Sequence, residues 1–384
     1  MSIFITGATG YLGGYVADHL LRHSDERLSL LVRAKDRDQA VEKLWKSFQL
    51  HQTAEEFWGN LGRIDFVHGD LHAPGLGIDP GTLEGVKANV DSILHIAASL
   101  NRKSAKACLN TNLRGTLSVV KLARLLQDGR GLRRFSHVST VAVAGKRDSE
   151  VVYEDSAIEW DRSDYDPYAR TKKFCEHMVR ELLPDVTLSF FRPSIVLGDS
   201  RKAVTSQFDM IRAVAFLADL PIVPLDPNCR VDIVPADYVA KAVSVLHRDD
   251  DKKHDIYHLS GGQKTCTAGE IAGEFAAVPG RKRNRLIPAL EKPFARAIDG
   301  MNAVPGRNAV SMVGALMKVF WPYVTYDTVF DNARVVDALG EDPVRFTEYG
   351  VDLYEFAKKN RYRYPYKPLP TQPVTVPVSR EAAL

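Results

Sequence analysis

Gly7-Ala8-Thr9-Gly10-Tyr11-Leu12-Gly13 is the stretch that decides the fold. An apolar run, residues 2–6, leads directly into it, and a stretch of helical period, residues 10–22, follows. Strand, glycine-rich turn and helix in that order suit a phosphate cradle. Gly7 permits the tight bend, Gly10 lets backbone approach a pyrophosphate, and Gly13 lets the helix lie close on the sheet while its first N–H groups face the anion. Thr9, Tyr11 and Leu12 fill the turn between the glycines and are read with them as cofactor-side residues.

Working outward, further apolar runs predict strands at 28–33, 64–68, 92–96, 134–140 and 188–193. Helical stretches at 37–48, 111–126 and 166–182 lie between them, the second carrying Leu113, Leu117, Val120, Leu122 and Leu125 toward one side. Short strands alternating with longer helices imply an α/β chain with a Rossmann-type, doubly wound parallel sheet buried on both faces. After residue 193 the rhythm becomes irregular, with a short strand at 255–259 and turn signals at Gly261-Gly262 and Pro279-Gly280. The expected organisation is a cofactor-binding domain over 1–195, to which 230–259 returns, and a smaller mixed substrate lobe over 196–363. A proline-rich tail at 364–384 is expected to be extended or disordered.

The 384 residues carry 51 Lys and Arg against 48 Asp and Glu, a net charge of +3, and 45% are hydrophobic, enough for a substantial core. So small a basic excess, spread along the chain, argues against nucleic acid as a partner. Cys108, Cys175, Cys229 and Cys266 lie far apart with no C-x-x-C pair, which argues against a zinc ribbon or a disulfide framework and reads as reduced thiols. His95 at a strand end reads as a packed polar side chain, and no histidine or acid spacing suggests a metal site. No signal-like segment opens the sequence, and the apolar windows 213–225 and 310–324 are broken by Asp219 and Lys318. A cytosolic protein without a membrane span is expected, with peripheral membrane contact left open, as a monomer or homodimer.

The second strand ends Leu30-Leu31-Val32-Arg33-Ala34-Lys35. In this architecture an acidic residue there holds the ribose 2′-hydroxyl of NAD, whereas a basic one accommodates the 2′-phosphate of NADP. Arg33 offers a planar fork and Lys35 a point charge, so NADPH is the expected cofactor. Asp70-Leu71 and Ala97-Ala98 follow the third and fourth strands, where the adenine and nicotinamide-ribose sides of such a crevice lie.

Tyr168 and Lys172 are four apart, which on a helix stacks them on one face. A free tyrosine titrates near ~10, and a neighbouring cation would favour its phenolate and make it a better acid. Thr140, ending the fifth strand, supplies a hydroxyl for the same substrate oxygen. Tyr354 and Lys358 repeat the spacing but follow no strand of the sheet, and read as a helix surface.

Taken together, these motifs resemble the extended short-chain dehydrogenase/reductase superfamily over about residues 1–260. Within it the chain is most similar to the fatty acyl-CoA reductase and thioester reductase branch, which includes the reductase domain of carboxylic acid reductases. The stretches that carry the resemblance are the glycine loop, Leu31-Val32-Arg33-Ala34, Gly69-Asp70-Leu71, His95-Ile96-Ala97-Ala98, Asn112-Leu113-Arg114-Gly115-Thr116, Arg192-Pro193-Ser194-Ile195-Val196 and Asp232 to Val239. Pro235-Ala236-Asp237 departs mildly from the branch's usual Pro-Val-Asp, and beyond residue 260 the likeness is looser.

The resemblance implies a triad of Thr140, Tyr168 and Lys172 and NADPH contacts from the glycine loop, Arg33, Asp70, Leu71, Pro193 and Ser194, with Lys172 also on the nicotinamide ribose. It leaves Asn112 as either a brace for the active-site helix or a cap. The implied reaction is reduction of an acyl thioester, on coenzyme A or an acyl-carrier protein, to aldehyde, with continuation to the alcohol left open. A carbonyl reductase or hydroxyl dehydrogenase using the same triad stays open as the alternative. A sugar-nucleotide epimerase conflicts with Arg33, and a non-catalytic NADPH sensor conflicts with an intact triad.

Overall fold

The apolar runs of the first half become strands of one sheet because both of their faces are covered: Ser2–Thr6 (β1) is buried at every position. The computed structural model describes residues 2–281, 284–306 and 308–372. Arg27–Val32 (β2), Ile64–His68 (β3), Ser92–His95 (β4), Arg134–Val138 (β5), Leu188–Pro193 (β6) and Ile256–Leu259 (β7) complete a parallel seven-stranded sheet in the order β7-β6-β5-β4-β1-β2-β3. β1 pairs with β2 on one side and β4 on the other. The connections therefore part between β1 and β4, which opens a crevice at the carboxyl ends of these strands.

Alternation along β1 assigns its side chains to two cores. Ile3 and Ile5 join Val16 and Leu20 of Tyr11–His23 (α1), Leu44 of Arg37–Phe48 (α2) and Val239 and Val243 of a later helix, Ala236–Arg248. Phe4 joins Val119 and Val120 of Gly115–Gly129 (α3) and Val179 of Pro167–Leu182 (α4) on the other face. A third core gathers most of the helices of the second half. It is built from Ile211 and Ala215 of Asp209–Asp219 (α5), Ile298 of Glu291–Ala303, Met317 and Trp321 of Ala309–Thr325 (α6) and Leu353 of Phe346–Lys359 (α7). Val329–Phe330, separated from α6 by three residues, pairs with Val151–Val152, and this ladder ties the late helices to the segment between β5 and α4.

Sequence boundaries shift where local geometry intervenes. The expected helix at 111–126 is Gly115–Gly129, entered through a π-helical turn, Leu109–Arg114, whose extra residue per turn re-aims the Asn112 side chain. β5 ends at Val138, so Thr140 lies just past it as the cap of a 3₁₀ turn, its Oγ1 accepting from Ala142 N at 3.2 Å. Residues 364–372 run without helix or strand along α2: Trp45 Nε1 donates to the Pro368 carbonyl at 2.9 Å and Lys367 N donates to Gln49 Oε1 at 2.7 Å. The rest of the expected tail, 373–384, lies outside the described residues. Among the described residues no helix is long and apolar enough to cross a membrane.

Candidate active site

The glycine loop sits at the point where the connections part. Gly7 has φ +83°, and a Cβ there would lie 2.7 Å from Ala97 N; a Cβ on Gly13 would lie 2.0 Å from the Gly7 carbonyl oxygen. Neither position admits a side chain. Gly10 N closes the turn on Gly7 O at 2.9 Å, and α1 starts at Tyr11 with no side-chain cap, leaving its first N–H groups for an anion.

From this loop a cleft of about 1620 Å³ runs along the carboxyl ends of the strands and on between α5 and α6. Gly7, Thr9, Gly10, Tyr11, Leu12, Gly13, Arg33, Asp70, Leu71, Ala97, Thr140, Tyr168, Lys172, Pro193 and Ser194 all line it. The Ser139 hydroxyl, also lining it, is buried and lacks a hydrogen-bond partner among the described residues. An anion-ready helix start at one end and an unpartnered hydroxyl beside Thr140 fit a dinucleotide laid across the strand ends.

Lys35 does not join this cleft, contrary to the sequence reading. Asp36 caps α2 by accepting from Gln39 N at 2.8 Å, so the chain has already turned away; the Lys35 side chain is 77% exposed, its ammonium 3.7 Å from Asp36. Arg33 does face the cleft, 75% exposed and 3.7 Å from Asp70. The Asp70 carboxyl is held below its ordinary range, first by the His72 backbone N–H, with Arg33 a weaker contributor.

Asp166 caps α4, accepting from Ala169 N at 2.8 Å, and Pro167 occupies the first turn, so helix begins just before Tyr168. Tyr168 and Lys172 follow one turn apart, both buried. Lys172 Nζ donates to the Val138 carbonyl at 2.7 Å, which pins α4 to the end of β5, and Thr140 Oγ1 donates to the Pro193 carbonyl at 3.4 Å. Burial lowers Lys172 to about 8 and raises Tyr168 to about 12. The chief cation opposing that rise is Arg102, followed among the favourable influences by the Thr140 hydroxyl. Lys172, expected to tune the phenol, holds the Val138 carbonyl and is not among the leading influences on Tyr168.

His95 is fully buried between Thr6 Oγ1 (2.6 Å) and Thr116 Oγ1 (2.9 Å), and burial pushes it down to about 3, so it is a neutral packed side chain. Asn112 braces rather than caps: Nδ2 donates to Thr171 Oγ1 on α4 at 3.1 Å, and Oδ1 accepts from Ser99 N at 2.7 Å. Tyr354 and Lys358 bind each other at 2.8 Å and Asp219 of α5 at 2.6 and 3.1 Å, which joins α7 to α5.

A family model described as "Male sterility protein" matches residues 5–243. The chain belongs to this family of NAD(P)-binding oxidoreductases. L-2-aminoadipate reductase of Schizosaccharomyces pombe is 28% identical over 257 residues, covering 63% of this chain and 18% of that protein. Fatty acyl-CoA reductase wat of Drosophila melanogaster is 27% identical over 235 residues, 54% of this chain and 45% of that protein. The chain thus spans less than half of either relative. The terminal R domain from the myxalamid PKS-NRPS biosynthetic pathway has the same fold, with a TM-score of 0.79 at 23% identity over 94% of this chain and 91% of that one.

Within this male sterility protein family member, sequence reading missed Arg102, Asp166 and Tyr323. Arg102 Nη1 pairs with Asp166 at 3.2 Å, and Tyr323, on α6, donates to the same Asp166 oxygen at 3.2 Å. The only sequence signal was a basic Arg102-Lys103 pair shortly after Ala97-Ala98.

The depressed Lys172 gives a pH prediction. Below about 8 the buried ammonium costs stability; as pH rises from about 8 toward its ordinary 10.5, the folded state sheds the proton while the unfolded chain keeps it, and the cost disappears. Urea unfolding of the wild type and Lys172→Met at about pH 7 and about pH 10 should show the wild type gaining on the variant as pH rises. A pH-independent difference contradicts the burial argument.

Proposed function

We propose that this protein reduces an acyl thioester, carried on coenzyme A or a carrier protein, to the aldehyde with NADPH. The observation that carries the reading is the meeting of Thr140, Tyr168 and Lys172 beside the glycine loop, in a cleft that continues into the slot between α5 and α6. The α6 wall of that slot is apolar through Met312, Leu316, Val319 and Phe320, which suits an acyl chain. Kinship with a fatty acyl-CoA reductase supports a thioester in particular.

Gly7, Thr9, Gly10, Tyr11, Leu12 and Gly13 would hold the pyrophosphate, Arg33 the 2′-phosphate, Asp70 and Leu71 the adenine side, and Ala97, Pro193 and Ser194 the nicotinamide side. NADPH, when bound, supplies a hydride to the thioester carbonyl carbon. Thr140 and Tyr168 would hold the carbonyl oxygen and stabilise its growing negative charge. At neutral pH burial keeps the phenol protonated, so Tyr168 passes its proton to that oxygen and gives a hemithioacetal. As the C–S bond breaks, Tyr168 takes the hydroxyl proton back and the thiolate leaves, to be protonated by water. Lys172 would hold the nicotinamide ribose while keeping α4 against β5. No cysteine nucleophile is needed, and burial holds the Cys108, Cys175 and Cys229 thiols above their ordinary range, against nucleophilic use. The same three side chains serve an aldehyde carbonyl equally well, so a second reduction to the alcohol requires no further group.

With NADPH and long-chain acyl-CoA or a carrier-linked thioester, the nicotinamide absorbance should fall as free thiol appears. Tyr168→Phe should keep NADPH binding and lose ~100- to 10,000-fold in kcat; unchanged turnover would refute the role given to Tyr168. Arg33→Ala should weaken NADPH binding ~10- to 100-fold, the worth of a charge-assisted contact, and leave NADH nearly unaffected. Equal losses for both nucleotides would remove Arg33 from the 2′-phosphate.

A further inference from the structure

Tyr168 receives its cation from outside its own helix. The Arg102 guanidinium carbon, in the loop after β4, lies 4.8 Å from the centre of the Tyr168 ring and 4.8 Å from that of Tyr323 on α6. Both fall within the ~6 Å range of a cation–π contact. Arg102 donates to Asp166 at 3.2 Å and to the Tyr323 hydroxyl, and the Tyr323 hydroxyl donates to Asp166. Tyr165, two residues before the α4 start, stacks on Tyr323 at 4.7 Å. One guanidinium therefore joins the strand-end loop, the first turn of the tyrosine's helix and the helix that walls the acyl slot.

The charged and titratable groups around Tyr168 leave Arg102 as the controlling cation. Asp166 opposes it, and the Cys108 thiol adds weakly in the same sense as Asp166; the Thr140 hydroxyl favours the phenolate; Lys172 is turned to the Val138 carbonyl. Arg102 outweighs Asp166 at the phenol, as its position over the ring face explains: half of Asp166 is spent on the helix cap and the rest on two donors.

We infer that Arg102 is a positioning residue that raises the proton-donating strength of Tyr168, and that Tyr323 holds Arg102 in place, so acid strength is coupled to the seating of α6 beside the cleft. This rests on the thioester-reductase reading and adds to it a link between the acyl-chain wall and the reacting end.

The test uses Arg102→Gln, Arg102→Lys and Tyr323→Phe, each alone and combined with Tyr168→Phe. Turnover of an acyl-CoA and of the matching aldehyde is followed alongside NADPH binding. Arg102→Gln should lower kcat ~10- to 100-fold, with KM and NADPH affinity within ~2-fold, because it acts on the transition state through the phenol. Arg102→Lys should recover part of that loss, and Tyr323→Phe should fall between wild type and Arg102→Gln. In the Tyr168→Phe background Arg102→Gln should cost less than ~3-fold, since its route is gone. Unchanged kcat in Arg102→Gln, or an equal loss with and without the Tyr168 hydroxyl, overturns the inference. If Arg102→Gln loses NADPH binding, Arg102→Lys and Tyr323→Phe decide by the same comparison. A wild-type protein inactive on thioesters, whatever it does to the aldehyde, overturns the functional reading itself, and the inference with it; a wild type active on thioesters with an unmoved Arg102→Gln overturns the inference alone.

Discussion

Where β1 and β4 end side by side, the two chains approach so closely that a side chain at position 7 would stand 2.7 Å from the Ala97 nitrogen. The backbone must turn there without a Cβ, and much of the site geometry depends on that turn. It swings α1 so that its N-terminus opens on the crevice. Ala97 is pressed against the loop, and the strand-end segment that leads on to Arg102 starts from there. β5, paired with β4, delivers Thr140 to the same edge, and the Lys172 bond to the Val138 carbonyl fixes α4 and Tyr168 against it.

Burial dominates the electrostatics of this edge. Desolvation exceeds every neighbouring charge at Tyr168 and at Lys172, raising the first and lowering the second. A protonated phenol at neutral pH is suited to giving a proton, the step a carbonyl reduction asks of it. His95 and His137, buried in the sheet behind the site, are also driven toward their neutral forms, so neither competes as an acid. Arg102 stays charged because Asp166 and the aromatic faces of Tyr168 and Tyr323 replace the water it gives up.

Much of this was legible in the sequence, for physical reasons that also mark where legibility ends. A parallel strand buried on both faces is an unbroken apolar run, and a glycine triplet after the first one places the crevice. Thr140, Tyr168 and Lys172 could be read because each is tied to a strand end or to a helix start visible locally. Lys35 was misplaced because Asp36, three residues after Arg33, accepts a capping bond from Gln39 N and the chain turns away there. Arg102 was missed because its partner Tyr323 is 221 residues away and no local pattern announces a contact of that range. Asn112 was undecided between brace and cap until the π-helical turn aimed it at Thr171. The helices after residue 193 have ordinary amphipathic faces, but which face meets which is set by tertiary packing alone.

The claim at the centre of the account is that hydride passes to a thioester carbonyl at the edge formed by Thr140 and Tyr168. Turnover of an acyl-CoA with NADPH deuterated at the transferring position, followed by mass analysis of the products, tests it most directly. The account predicts deuterium at the former carbonyl carbon of the aldehyde and of any alcohol formed from it, their sum equal to the coenzyme A released, and the loss of labelled product and free coenzyme A together in Tyr168→Phe. NADPH consumed without label in aldehyde or alcohol, or labelled product formed at the wild-type rate by Tyr168→Phe, would contradict it.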